Sequence, residues 1–266
     1  MAVRLVRRDA RRDAPSEAAR QVIWHDLECG AYRADLALWL ELAQRQRGPV
    51  LEIGAGSGRV SLHLARGGYA VTALDREPAL LDALRERDDG ATVRTVCVDA
   101  RHFSLDGERF ALCVVPMQTV QLLDGAGRRS LFSNVRAVLN ADGLLACAIL
   151  GRVQPFDCAR GDLGPAPDTA VVDGVLYSSR ATRVTLDGRR VTIERERRTR
   201  ALAHRARAGA AGATEPTFER DVVSLHRVGV RELQREAAAA GLRAQKTAQL
   251  PATEDYAASQ VVLLRG

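Results

Sequence analysis

From about residue 17 to residue 150, apolar positions alternate between helical stripes and short buried runs. Val22, Ile23 and Leu27 share one face of a helix predicted over 17–28, with Ser16 after Pro15 placed to cap it. Leu36, Trp39, Leu40 and Ala43 mark a second helix over about 34–46, which Gly48-Pro49 ends. Strands predicted at 50–53, 70–74, 93–98, 111–115 and 144–150 then alternate with helices at 58–66, 78–87 and 126–139. Gly67-Gly68 closes the first of these helices, and Pro78 stands in the first turn of the second. Strands and helices of this length in alternation predict an α/β fold, a doubly wound Rossmann-like sheet covered on both faces.

The pattern changes after residue 151. Residues 171–199 lose the helical period and read as antiparallel ribbon, with Val175–Tyr177, Arg183–Leu186 and Val191–Glu194 as strands and Asp187-Gly188 as a hairpin turn. Residues 201–215 are Ala/Gly/Arg-rich and predict a mobile loop, followed by a strand at 219–227. The α/β pattern resumes with a helix at 230–240, a Gly241 cap and two strands near 243–249 and 259–264. The expected organisation is therefore N-terminal helices plus a cofactor-binding half over 1–151, an antiparallel β insertion or lid over 152–227, and a completing segment over 228–266. Residues 1–14 read as a charged, frayed tail.

Composition narrows the class. Hydrophobic residues make up 46% of the 266, enough for a core and too many for a disordered chain. The net charge of +6 rests almost wholly on arginine, since Lys246 is the sole lysine. That imbalance points to composition bias more than to a selected nucleic-acid surface, which would mix Lys with Arg on one face. Cys29, Cys97, Cys113, Cys147 and Cys158 are scattered and form no C-x-x-C pair, which argues against a disulfide framework or zinc ribbon and for a reducing, cytoplasmic setting. Cys97, Cys113 and Cys147 lie in apolar runs and are expected to fill core. The Met1–Asp13 segment lacks the apolar stretch of a signal peptide, and runs such as Leu144–Leu150 are too short to span a bilayer, so a soluble protein is expected.

The sharpest feature is Val50-Leu-Glu-Ile-Gly-Ala-Gly-Ser-Gly58, an apolar strand running into a glycine turn that opens a helix. Glycine is needed where backbone meets a ligand closely or takes positive φ, and the N–H groups of a helix start point at a ligand's polar end. Arg59 occupies the place where a dinucleotide fingerprint requires its third glycine. Asp75 closes the next strand about 20 residues on, where an acid accepts bonds from ribose hydroxyls, and Asp99 ends the strand after that. Each of these aspartates also fits a helix cap. Together Glu52, Asp75 and Asp99 would line one rim with carboxylates, repelling a pyrophosphate and suiting a ligand with an ammonium, a sulfonium and a neutral adenosine.

On these residues the chain resembles the class I S-adenosylmethionine-dependent methyltransferases, in particular those acting on N or O atoms of small molecules. The resemblance covers about 30–150 and resumes at 228–264. Val50–Gly58 is similar to the family's first motif, Asp75 to its ribose-binding acid, and Asp99-Ala100 to its adenine-contacting pair. Phe110–Leu123, with Pro116, Met117, Gln118 and Gln121, resembles the fourth strand and the loop beside the methyl-transfer site. Asp142-Gly143 resembles the turn into the family's fifth strand, and the closing helix, Gly241 and two strands resemble its C-terminal antiparallel hairpin, which implies a seven-stranded sheet whose last strand is antiparallel.

The resemblance implies S-adenosylmethionine as cofactor, held by Tyr32, Glu52, Gly54, Ala55, Gly56, Gly58, Asp75, Arg76, Asp99, Ala100, Pro116, Met117, Gln118 and Gln121. Tyr32 matches a tyrosine that closes over the cofactor. Arg59 is either a methionine-carboxylate contact or a solvated residue. His226, in the last strand of the insertion, is the first candidate for a catalytic base, ahead of His102; an ordinary, partly exposed histidine is the plainer reading of each. Arg180, Arg183, Arg195 and Arg197 fit either carboxylate or phosphate recognition or a solvated strand face. Expected partners are a small-molecule methyl acceptor and a second copy of the chain, with neither nucleic acid, membrane nor metal. The competing readings are an RNA or protein methyltransferase, a nicotinamide-dependent oxidoreductase, and a cofactor-binding subunit without turnover.

Overall fold

A computed structural model describes residues 4–6, 15–90, 92–105, 107–202, 215–254 and 256–266. In chain order the elements are β1 (Arg4–Val6), α1 (Glu17–Cys29), α2 (Leu36–Gln46), β2 (Val50–Ile53), α3 (Ser61–Arg66), β3 (Val71–Asp75), α4 (Pro78–Arg87), β4 (Arg94–Cys97) and β5 (Phe110–Val115). A 3-10 turn at Thr119–Leu122 leads to α5 (Gly125–Val138), β6 (Leu139–Leu150), β7 (Phe156–Asp157), β8 (Asp168–Val172), β9 (Val175–Leu186), β10 (Arg190–Ala201) and β11 (Thr217–His226). The chain closes with α6 (Val230–Ala238), β12 (Arg243–Ala244), β13 (Ala248–Leu250) and β14 (Ser259–Arg265). Two compact units result, one from residues 1–31 and 154–224, the other from 32–153 and 225–266.

The larger unit holds the α/β sheet, in the order β12-β14-β6-β5-β2-β3-β4, with β13 also paired to β14. β6, β5, β2, β3 and β4 run parallel, and β14 is antiparallel to β6. Since β12 and β13 pair with successive stretches of β14, they act as one interrupted edge strand. This gives the seven strand positions and the antiparallel closing strand that the sequence implies. The fold follows from residues buried on both faces of the central strands. Leu112 and Val114 of β5 join a core with Trp39 of α2 and Leu81 and Leu84 of α4. Their neighbours Cys113 and Val115 join the opposite core, with Leu131, Phe132 and Val135 of α5 and Leu233 of α6. Cys113 and Cys147 are fully buried core fillers, and burial pushes both thiols well above their usual range. Cys97, by contrast, is exposed.

Helix boundaries follow local chemistry. Ser16 caps α1 by accepting from the Ala19 N–H at 3.2 Å, as its place in the sequence predicts. Gly241 takes φ +83° after α6, and the Leu242 N–H reaches back to the Ala237 carbonyl at 3.1 Å. Helices α5 and α6 are joined by a nearly buried ion pair in which the Arg128 guanidinium grips both oxygens of Glu236 at 2.6 and 2.7 Å and donates to the Leu123 carbonyl at 2.9 Å.

In the other unit a sheet runs β1-β8-β9-β10-β11, with β7 on β9. α1 packs Trp24 edge-on against Tyr177 of β9 at 5.2 Å. Strands β9 and β10 run 12 residues each, far longer than the short strands the sequence suggests. Charged and small residues on β10 and β9 hide the period of two there. Asp187 makes the hairpin turn as predicted, its carboxylate accepting from the N–H groups of Arg189 and Arg190 at 2.7 and 2.6 Å. The supposed tail contributes a strand, Arg4–Val6, parallel to Ala170–Val172. The remainder of that tail, and the loop expected at 201–215 over residues 203–214, lie outside the described residues.

Truncating one partner of the Arg128–Glu236 pair leaves a buried charge without compensation. Glu236→Ala is expected to lower stability by about 3 kcal/mol in urea unfolding. Glu41→Ala, which breaks the exposed Arg45–Glu41 pair, should cost less than about 1 kcal/mol.

Candidate functional site

The Gly54–Gly58 turn lies at the carboxyl end of β2, the edge where open parallel sheets meet ligands. Gly54 and Ala55 both donate to the Leu74 carbonyl of β3, at 2.8 and 3.0 Å, so the turn is fastened to the neighbouring strand. Gly54 has φ +75°, and a Cβ there would stand 2.4 Å from Cγ2 of Thr119. Gly58, at φ +93°, would meet Cγ of Leu84 at 2.6 Å. Both positions therefore require glycine twice over, for backbone conformation and for space. Helix α3 begins at Ser61 and not at 58, because the chain spends the intervening residues in turn.

Asp75 holds this turn from β3. Its Oδ2 accepts from the Gly56 N–H at 2.8 Å and its Oδ1 from the Glu77 N–H at 3.0 Å. The carboxylate thus serves both as a local turn cap and as a brace across 19 residues, and it stays half-buried at the sheet edge. Each oxygen retains a second acceptor position. Arg76 beside it is exposed and reaches Glu77. Asp99 is gripped by its neighbour: Arg101 donates to both oxygens at 2.9 and 2.6 Å and adds its backbone N–H at 2.8 Å. Those bonds hold the Asp99 carboxyl down at about 2. Ala100 is half-buried, its carbonyl accepting from Asn134 at 3.4 Å.

Glu52 departs from the expected rim of carboxylates. It is 2% exposed, is hydrogen-bonded by the Ser61 hydroxyl, and burial pushes its carboxyl up to about 8 against the opposing pull of Ser61 and Arg59. At neutral pH it is a neutral acid facing the start of α3. Arg59 is not the solvated residue of its plainer sequence reading. Its guanidinium is 8% exposed and meets Asp35 through both nitrogens, at 2.5 and 2.8 Å, while donating to the Tyr32 carbonyl at 2.9 Å. Asp35 is fully buried, also accepts from the Trp39 indole at 2.8 Å, and was missed by sequence reasoning. An acid just before the Leu36–Gln46 stripe, four residues ahead of a tryptophan, was the available signal.

Tyr32 is 5% exposed, lies under Arg59 at 5.3 Å from its ring, and packs against Tyr256 with ring centroids 4.8 Å apart and planes tilted by 44°. Its hydroxyl is buried with no hydrogen-bond partner among the described residues, and burial raises its pKa, keeping the phenol protonated.

The loop after β5 packs over the glycine turn. Pro116 is buried and its carbonyl accepts from the Thr119 hydroxyl at 3.0 Å; Met117 takes φ +52°, a strained conformation for its residue type. Gln118 and Met117 are half-buried. Gln121 does not open onto a cleft. At 2% exposure, its Oε1 accepts from the Leu150 N–H at 2.6 Å and its Nε2 donates to the His226 carbonyl at 3.2 Å. His226 is half-buried, and Asp124, the cap of α5, is held below the ordinary carboxylate range chiefly by the Gly127 N–H. His102 is exposed. Of the ribbon arginines singled out from the sequence, Arg197 grips Glu28 at 2.8 and 2.9 Å and meets Asp221 at 3.1 Å; Arg195 lies 3.7 Å from Asp168 and Arg183 3.3 Å from Asp157. These three are answered within their own unit. Among the described residues, no cluster of three or more His, Cys, Asp or Glu gathers as a metal site, and no helix is long and apolar enough to cross a membrane.

Residues 50–143 match the family model of the methyltransferase domain. No curated protein matches the chain by sequence. Among solved structures, the chain is similar to the amino pentose methyltransferase CalS10 of Micromonospora echinaspora, at 19% identity and TM-score 0.66, over 96% of this chain and 99% of that one. It is also similar to the sugar N-methyltransferase KedS8 of Streptoalloteichus, at 17% identity and TM-score 0.68, over 100% and 99%. The glycopeptide N-methyltransferase MtfA aligns at 20% identity and TM-score 0.55, over 95% and 99%. The fold likeness thus runs the length of the chain, and the match to the methyltransferase-domain model falls on its residues 50–143.

The buried Glu52 acid carries a pH signature. Its folded pKa lies above its unfolded value, so between about 4.5 and about 8 the folded state keeps a proton that the unfolded chain has released. Stability from this group is therefore present at low pH and lost as pH rises through that window. Glu52→Gln, which cannot ionise, is expected to gain stability relative to the parent between pH 5 and pH 8.5. Urea midpoints at the two pH values check this; a difference that stays constant would refute it.

Proposed function

We propose that this chain, whose residues 50–143 match a methyltransferase-domain model, transfers the methyl group of S-adenosylmethionine to a nitrogen or oxygen of a small molecule, with an amine on a sugar-like acceptor as the favoured case. The observation that carries the reading is the Gly54–Gly58 turn held by Asp75 through the Gly56 N–H at the edge of a parallel sheet. The acceptor class is supported by the full-length likeness of fold to proteins described as amino pentose and sugar N-methyltransferases.

The residues present fit such a cofactor. Glycine at 54 lets the backbone approach where any side chain would collide with Thr119. Asp75 has acceptor capacity for ribose hydroxyls after its two backbone bonds, and Asp99 offers a carboxylate for the adenine amino group once shared with Arg101. Ala55, Gly56, Gly58, Arg76, Ala100, Pro116, Met117 and Gln118 complete the proposed contacts. Glu52 and Gln121 act from behind, one as a buried acid against Ser61 and the other on main chain. An acidic edge without lysine is poorly suited to a pyrophosphate, which disfavours a nicotinamide cofactor.

S-adenosylmethionine supplies a methyl group already activated by its sulfonium, so the protein's work is orientation and exclusion of water, worth on the order of 7–11 kcal/mol. His226 is the proposed base that takes the acceptor's proton. Tyr32, protonated and buried with its hydroxyl unanswered, is the proposed donor that gains a partner when ligands bind. Cytoplasmic location and a homodimer are the accompanying proposals.

The test is titration calorimetry with S-adenosylmethionine, followed by mass spectrometry of amino sugars incubated with enzyme and cofactor. Binding and the gain of one methyl group on a nitrogen are expected. Tight binding of NADH instead would sink the reading. Asp75→Ala is expected to weaken cofactor binding by about 1–3 kcal/mol, the cost of a lost charged hydrogen-bond partner; an unchanged Kd would remove Asp75 from the ribose site.

A further inference from the structure

Gln121 satisfies a demand that few side chains can meet. It sits in the 3-10 turn at Thr119–Leu122, 2% exposed, and its amide accepts from the Leu150 N–H while donating to the His226 carbonyl. Both partners are main-chain groups of the larger unit. Leu150 ends β6, just before the chain leaves that unit at residue 153, and His226 follows its return at residue 225. One buried amide therefore ties the outgoing and the returning segments together. Only a group with one donor and one acceptor at this reach does so; an ionised glutamate keeps the acceptor and loses the donor, and methionine loses both.

The same short loop is anchored at two further points. Thr119 packs against Gly54, so close that a Cβ on that glycine would strike it at 2.4 Å. Asp124, three residues after Gln121, is fixed by the Gly127 N–H at 2.7 Å. The loop thus touches the glycine turn at one end and grips His226 at the other.

We infer that Gln121 is a positioning residue, which sets the main chain of His226 in fixed relation to the Gly54–Gly58 turn and so aligns the base with the cofactor's end of the site. The inference rests on the proposed role of His226. A misplacement of about 1 Å at a reacting group can cost on the order of 100-fold in rate, which is the scale at stake.

Gln121→Glu and Gln121→Met separate the alternatives. Using the amino sugar of highest turnover, kcat is expected to fall about 10- to 100-fold in both, with the Kd for S-adenosylmethionine within about twofold of the parent. In a His226→Gln background, Gln121→Met should add no further loss, because the residue acts through His226. Unchanged kcat, or losses that multiply in the double variant, would overturn the inference. Amide hydrogen exchange gives a readout independent of any acceptor. In Gln121→Met the Leu150 amide and the segment 225–228 should both exchange faster than in the parent. Parent-like exchange in both places overturns the inference whatever the substrate is. Absence of cofactor binding in the parent would instead refute the proposed function, leaving the exchange result to judge the tie itself. If Gln121→Glu does not fold, the near-isosteric methionine variant carries the same kinetic comparison.

Discussion

The site depends on one backbone constraint. A strand buried on both faces must turn, immediately after Ile53, through left-handed conformations at Gly54, Gly56 and Gly58 while keeping its N–H groups on the Leu74 carbonyl. A side chain at Gly54 collides with Thr119 and one at Gly58 with Leu84, so the loop after β5 and helix α4 both take their positions from these glycines. Asp75 closes the arrangement from the adjacent strand by binding Gly56. Strand order, the glycine turn and the two packed neighbours are therefore one structural unit, and what is offered to a ligand is main chain with little freedom to move.

Behind that turn, electrostatics divides acids by what answers them. Asp35 receives a guanidinium fork and an indole N–H, so its charge can persist in the interior. Glu52 lies in the same interior but has mainly a hydroxyl for company, and it holds its proton up to about 8. Asp75 and Asp99 remain at the edge, where Asp99 is already satisfied by Arg101 and Asp75 is satisfied only by backbone. A count of carboxylates at strand ends therefore overstates the negative charge at the rim. Asp75 and Asp99 remain to make it acidic.

Local chemistry made much of this readable from sequence. The parallel strands announced themselves as buried runs, Pro78 and Ser16 marked helix starts, and Gly54–Gly58 with Asp75 located the turn and its brace. What sequence could not show are partnerships made across distance. Arg59 finds Asp35 24 residues away, and Gln121 finds Leu150 29 residues and His226 105 residues away. Nothing in the local pattern of Gln121 distinguishes a surface glutamine from a buried one, because the groups it binds are main-chain atoms and leave no mark in composition. The long ribbon failed for a related reason. Its strands carry charge on positions that pair with other charges, such as Arg197 with Glu28 and Asp221, so the contrast between inward and outward residues fades.

Those pairings also change the meaning of the arginine excess. With Lys246 the sole lysine, nearly every cation is a planar fork able to hold both oxygens of a carboxylate. The protein uses that geometry repeatedly: Arg59 on Asp35, Arg128 on Glu236, Arg197 on Glu28, and Arg101 on Asp99. A lysine ammonium offers a point charge and would leave one oxygen of each acid without its donor, a serious loss where the pair is buried. Whatever set the composition, the fold has made the guanidinium a structural element. The three largely buried forks, Arg59, Arg128 and Arg197, are thereby answered inside their own units, where they add nothing to a surface for nucleic acid.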